Sequence, residues 1–259
     1  MVPDVPPRVV SANANGINGK DRMRVKRYQP TLSLKPTQFA VGLLEVEYKV
    51  VEMKRLKKSK LRRLIKKTPI PVIVSPWKEL CVVDHHHFLF ACWHANVRRV
   101  RVEVVKDYSR SNLSYHKFWQ RMARQHYAHL YDQFGLGPRN ALYLPMDVRG
   151  MADDPYRSLV WMVRKEGGFE NSKQTYAEFK WAELFRQRRL LESHGRRGFH
   201  AAVQRGLKLA QSKTSRALPG YLDRKKLEET VEKKALPNSK YVPRAKKTGE
   251  LATVPLLAP

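Results

Sequence analysis

Two β-rich runs, Pro69-Ile70-Pro71-Val72-Ile73-Val74 and Glu79-Leu80-Cys81-Val82-Val83, stand on either side of Ser75-Pro76-Trp77-Lys78. Apolar runs of that length around a Pro-containing turn predict two paired strands. The second run passes directly into Asp84-His85-His86-His87 and then into Phe88–Ala95, which holds no helix breaker before Asn96. The alternating Val100-Arg101-Val102-Glu103-Val104 predicts a further strand. A carboxylate and three imidazoles therefore fall where a strand hands over to a helix N-terminus. At such a corner, backbone N–H groups without helical partners and the helix dipole favour anions.

Three chemistries suit that polar run. A metal site is one, but neighbours on a helix point about 100° apart, so four consecutive residues cannot all face one ion. Imidazoles and backbone N–H groups holding phosphate oxygens, with Asp84 orienting a ring or a metal-bound nucleotide, is the second. The third is a capped helix whose histidines satisfy buried carbonyls. Four polar residues at the mouth of an apolar hairpin–helix unit are costly unless they are used.

The whole chain favours a polyanionic partner. A formal net charge of +28 over 259 residues exceeds what solubility requires and points first to nucleic acid, then to an anionic membrane surface. The most basic segment is Lys54–Lys67, where Leu56, Leu61, Leu64 and Ile65 supply a narrow apolar stripe. Lys57, Lys58, Lys60, Arg62, Arg63, Lys66 and Lys67 are its candidate nucleic-acid contacts. Cys81 and Cys92 are the only cysteines and form no Cys-x-x-Cys pair, which disfavours a zinc ribbon or a thioredoxin-type site. Two buried free thiols in a reducing compartment are expected. No apolar stretch approaches the ~20 residues of a membrane span, and the N-terminal Pro-rich segment lacks the apolar core of a secretion signal. The expected location is intracellular, cytoplasmic or nucleoid/nuclear. No Gly-x-Ser-x-Gly, Walker-type loop or Gly-x-Gly-x-x-Gly is present.

Along the chain, residues 1–30 predict a basic mobile arm and 193–259 a basic tail, partly helical and partly disordered, around a domain over 31–192. Leu32-Ser33-Leu34 predicts a short strand ending at Pro36, and a helix follows from near Val41. Its Glu45 and Lys49 form an i,i+4 pair. Ser114 predicts a cap for a helix carrying Phe118, Trp119 and Met122, and His129–Asp132 a short strand. Asp153-Asp154-Pro155 predicts a helix start that runs to Gly167-Gly168. A metal at the Asp153–Asp154 pair is the alternative to capping. Arg157 and Arg164 share one face of that helix, where they meet phosphate or Glu partners. A last helix is expected from Tyr176 to about Leu191, with further helices over Phe199–Leu209 and Leu222–Lys233.

Several of these blocks, in order, resemble a known family. Leu34-Lys35-Pro36-Thr37-Gln38, Val41-Gly42, Glu45-Val46 with Lys49, Pro69-Ile70-Pro71-Val72 and Val83-Asp84-His85-His86-His87 open the series. Phe118-Trp119, Leu130-Tyr131-Asp132, Asp153 to Leu159 and Glu178-Phe179-Lys180-Trp181-Ala182 continue it. Over about residues 31–187 the chain resembles the Putative ParB-like nuclease family of the ParB/sulfiredoxin superfamily. The resemblance implies a compact α/β (α+β) domain, with a small mixed sheet and surrounding helices. It also implies a nucleotide- or DNA-phosphate site at the strand–helix turn. In the wider superfamily that turn reads Gly-x-x-Arg or Gly-x-His-Arg. Here His85 stands at the Gly position and Phe88 at the Arg position, so His86 and His87 have to supply the phosphate contacts. Related free-serine kinases use a carboxylate on the early helix as base, and Glu45 occupies a similar place.

The leading expectation is phosphate chemistry by a nuclease or nucleotide-dependent enzyme. Glu45, Asp84, His86 and His87 are its catalytic candidates, with His85, Lys49 and Arg157 against phosphate. Mg²⁺ or Mn²⁺ with a nucleotide is the expected cofactor class. A non-catalytic nucleic-acid binder built on the 54–67 helix and the basic ends is the alternative. A small-molecule kinase of the free-serine type is the third.

Overall fold

The computed structural model describes residues 24–192 and 195–223. Most of the expected N-terminal arm, and the tail after Asp223 with most of the Leu222–Lys233 helix, lie outside the described residues. The chain divides into two units, with the boundary between Ser158 and Leu159.

The first unit runs in the order β1 (Tyr28–Pro30), β2 (Leu34–Pro36), β3 (Ala40–Val41), α1 (Leu43–Arg55), α2 (Lys58–Lys67) and β4 (Ile70–Val74). It continues with β5 (Leu80–Val82), α3 (His86–His94), β6 (Arg99–Asp107), α4 (Tyr115–Arg124), β7 (Ala152–Asp153) and the start of α5 (Pro155–Lys165). Five strands form one mixed sheet, ordered β1-β6-β4-β5-β2. The β4–β5 hairpin is antiparallel with Val72 opposite Val82, and β4 runs parallel to β6. β3 and β7 pair separately and in parallel, Ala40 opposite Ala152. The fold is α+β.

Strand periodicity builds two cores. Along β4, Ile70, Val72 and Val74 face one side, where Val46, Val50 and Met53 of α1 and Leu89 of α3 fill the same cluster. Ile73 and Cys81 face the other side and meet Phe118, Trp119 and Met122 of α4. Every residue of β4 and β5 is buried, which is why both read as unbroken apolar runs rather than alternating ones. Cys81 and Cys92 are buried free thiols, as expected. Burial pushes the Cys81 thiol up to about 12, which disfavours a reactive thiolate there.

Four local expectations change. The basic 54–67 stretch is not one helix: Leu56 and Lys57 are extended, with ψ of 136° and 148°. The break turns a new axis onto the core, where Ile65 is buried with Leu61 and Leu64 against it. The strand expected at Leu32 begins at Leu34, after a 3-10 turn over Thr31–Ser33, and includes Pro36. Pro is tolerated there because β2 is a sheet edge. His129–Asp132 forms a single bridge, Gln38 with His129, and no strand. The Asp132 carboxylate instead accepts the N–H groups of Phe134 and Leu136, each at 2.9 Å, and organises a loop. The last helix before the tail opens one residue later than expected and ends at Gln187.

In the second unit α5 continues to Lys165, followed by α6 (Ala177–Gln187) and α7 (Gly195–Ala210). Trp181 stacks on Phe169 at 4.2 Å and donates its Nε1–H to the Pro219 carbonyl at 2.8 Å. Arg164 meets a carboxylate partner, Glu178, at 2.6 Å. No helix among the described residues is long and apolar enough to cross a membrane.

Candidate functional site

The strand–helix corner forms as the sequence predicts, with β5 ending at Val82 and α3 starting at His86. His85 is the turning residue, in the left-handed region at φ 67°, ψ 27°. A glycine adopts that conformation freely, whereas a side chain there carries a cost of about 1–2 kcal/mol. Asp84 offsets part of it locally by accepting the His85 N–H on Oδ1 at 2.6 Å. The Asp84 side chain is half exposed (50%), and its Oδ2 lies 4.0 Å from His85 Nε2. Burial holds His85 below its ordinary pKa, opposed by the Asp84 charge and reinforced by Lys49.

The three imidazoles do not form a row facing solvent. His86 is 2% exposed, and its Nε2 accepts the Thr37 N–H at 3.2 Å. The neutral ring therefore carries its proton on Nδ1. The Thr37 hydroxyl donates to the Val82 carbonyl at 2.6 Å, joining the end of β5 to the segment after β2. Burial foremost, with smaller contributions from the neighbouring His87 and Arg157, lowers His86 from its ordinary 6.5 to about 3. It is a neutral tie at neutral pH. His87 turns to the other side of α3, where its Nε2 accepts the Gly42 N–H at 3.0 Å.

That second bond brings α1 to the corner. The first three free N–H groups of α1 are all answered by side chains from elsewhere: Gly42 by His87, Leu43 by Asp153 Oδ1 at 3.0 Å and Leu44 by Ser158 Oγ at 3.2 Å. The positive end of α1 is thus closed by the protein's own acceptors. Gly42 permits it, because a Cβ there would stand 2.6 Å from Ser158 N and 2.8 Å from Arg157 C. The Asp pair acts through capping, divided between two helices: Asp153 closes α1, while Asp154 accepts the Tyr156 N–H at 3.0 Å at the start of α5. Ser114 likewise caps α4, accepting from Lys117 N–H.

Glu45, in the first turn of α1, lands beside His87. Its Oε2 is 3.7 Å from His87 Nε2 and its Oε1 is 3.2 Å from Lys49 Nζ. The i,i+4 pair is therefore more than a solvated surface contact, since Glu45 is 8% exposed. Lys49 remains partly exposed. Glu45, Lys49, Asp84, His85 and His87 form one chain of contacts or charge interactions. Arg157 is 5% exposed and lies close enough to depress His86, so it sits behind the corner rather than at its mouth. Lys57, Lys58, Lys60, Arg62, Arg63, Lys66 and Lys67 are all exposed on α2 and its N-cap. Among the described residues, no three His, Cys, Asp or Glu side chains gather as a metal site. Those donors do not fit a resident ion held by protein alone.

Sequence reasoning named the five corner residues but gave no role to Thr37, Gly42 and Ser158, which fix the corner's geometry. Gly42 carried a signal, as a glycine directly before a helix.

Comparisons with known proteins place this architecture. The model of the family described as Putative ParB-like nuclease matches residues 30–187. Among solved structures the chain is similar to protein Atu1540 from Agrobacterium tumefaciens, at 30% sequence identity and a TM-score of 0.66. That likeness covers 76% of this chain and 97% of the other. Among curated proteins nothing matches. With more than half its length matched by the family model, and the mixed sheet and strand–helix corner in place, the chain belongs to the Putative ParB-like nuclease family.

Proposed function

We propose that the Glu45–Lys49–Asp84–His85–His87 corner performs phosphate chemistry, the hydrolysis of a phosphodiester or of a nucleotide phosphate. One observation carries this reading: a nearly buried carboxylate, Glu45, set between an ammonium at 3.2 Å and an imidazole nitrogen at 3.7 Å. Lys49 Nζ pairs with Glu45 Oε1 on one side. His87 Nε2 already accepts the Gly42 N–H, so its lone pair opposes the carboxylate across 3.7 Å. A nearly buried carboxylate in that position suits a general base acting on a water or hydroxyl nucleophile.

The anion-binding part falls to α3. His85, its N-cap, makes no side-chain cap bond, so the positive end of that helix faces the corner beside Asp84. Lys49, partly exposed, adds the positive charge that the missing arginine at Phe88 would have given. In this reading His86 and Arg157 are positioning residues: His86 holds the corner to Thr37, and Arg157 supports it from behind. Family membership supports the reaction class.

The test is turnover of duplex DNA and of nucleoside triphosphate by the full chain with Mg²⁺ or Mn²⁺. Wild type, Glu45→Gln and His87→Gln are compared. Loss of about 10²-fold or more in Glu45→Gln supports a general base. No turnover by the wild type, or equal rates in all three, overturns the reading.

A further inference from the structure

The strongest feature outside the corner is the cationic face of α2. At about 100° per residue, Leu61, Leu64 and Ile65 occupy an arc of about 100° that packs on the core. The cations cover the opposite side in two rows. Lys58, Arg62 and Lys66 follow one another at i, i+4 and i+8, while Lys60, Arg63 and Lys67 form the second row, centred about 130° round the helix. Ser59 lies between them, and α2 contains no acidic residue. Ten residues make a rod about 15 Å long.

Arg101 of β6 donates from Nη1 to the Lys66 carbonyl at 2.6 Å, joining the C-terminal end of α2 to the sheet. Arg99 and Arg101 lie on the other face of β6, since Val100 and Val102 point into the core together with Leu61, Leu64 and Ile65. β1 pairs with β6, Tyr28 opposite Arg101. The exposed Lys26 and Arg27 immediately before β1 therefore lie at that edge, with the Arg27 carbonyl accepting the Val102 N–H at 2.9 Å. Glu103 is the exposed acid on this strand.

We propose that the two cation rows of α2 dock the sugar–phosphate backbones of double-stranded nucleic acid. Two rows set about 130° apart on one rod match two phosphate strands lining a groove about 12 Å wide. A single strand engages one row. The face between the rows carries a serine and no aromatic residue, so it offers no stacking platform for unpaired bases. Lys and Arg on phosphates position a duplex without reading it, so the binding is independent of sequence.

The experiment is fluorescence anisotropy of a labelled 20-base-pair duplex, its single strand and phosphatidylserine vesicles, with the full chain across a salt series. Anisotropy reads binding without turnover, so failure here is distinguishable from failure of the phosphate chemistry proposed above. The variants are the triples Lys58→Gln/Arg62→Gln/Lys66→Gln and Lys60→Gln/Arg63→Gln/Lys67→Gln. Both leave the apolar stripe intact, and far-UV circular dichroism checks the fold. Each triple is expected to reduce the slope of log K against log salt for duplex by about 2.7, at about 0.9 per lost phosphate contact. Single-strand binding is expected to change less. Unchanged duplex slopes in both triples, or an equal loss on the single strand, overturn the proposal. So does a loss confined to vesicles, which would assign the face to a membrane.

Discussion

The Thr37 N–H donates to His86 Nε2 across 3.2 Å, and this bond decides how the three consecutive imidazoles divide their work. With His86 turned inward, His85 is left at the turn and His87 on the face of α3 that meets α1. A run that looks uniform in sequence becomes one structural tie and two rings at a corner.

The buried ring sets a pH dependence of stability. His86 has a folded pKa of about 3 against an ordinary 6.5, so below pH 6.5 the unfolded chain binds a proton that the folded chain refuses. Stability therefore rises with pH between about 3 and 6.5, and falls as acid is added through that window. His85 is lowered as well and acts in the same direction. The full difference for His86 is on the order of 4–5 kcal/mol at the acid end. Urea denaturation at a series of pH values is expected to show this slope in the wild type. A shallower slope is expected in His86→Asn, which keeps an acceptor for Thr37 without the titration.

Gly42 is required by contact, not by backbone conformation, since its φ is an ordinary −83°. Gly42→Ala places a methyl 2.6 Å from Ser158 N. That is backbone rather than a movable side-chain end, so the α1 and α5 N-termini must separate. Chemical denaturation is expected to show a loss of about 1–3 kcal/mol. Because the shift displaces Gly42 N–H from His87, turnover is expected to fall with it.

At His85 the two requirements come apart. Its left-handed φ of 67° suits glycine and is a poor conformation for a β-branched residue. His85→Gly is expected to stay within about 1 kcal/mol of wild type, relief of strain offsetting the buried ring. His85→Val is expected to lose about 2 kcal/mol or more. If the imidazole works at the corner, His85→Gly loses turnover while keeping its melting temperature.

What the sequence made legible follows from how local each signal is. The Glu45–Lys49 pair, the hairpin, the strand-to-helix handover and the caps at Ser114 and Asp154 depend on residues within a few positions of one another, and all appear. The break at Leu56–Lys57 carries no Gly or Pro and is set by where Leu61, Leu64 and Ile65 must pack, so helical periodicity ran through it. The corner's own geometry rests on Thr37 with His86, Gly42 with His87 and Leu43 with Asp153. Those partners are far apart in the chain, and no local pattern states them. For the same reason the inward turn of His86 and the burial of Arg157 required the structure.

Glu45 is the residue on which the functional account stands. The most direct measurement is the single-turnover rate of phosphate hydrolysis, on duplex DNA and on nucleoside triphosphate with Mg²⁺ or Mn²⁺, for wild type and Glu45→Gln at matched folded fraction. The account expects the amide to cost about 10²-fold or more in rate. Equal rates for the acid and the amide would contradict it.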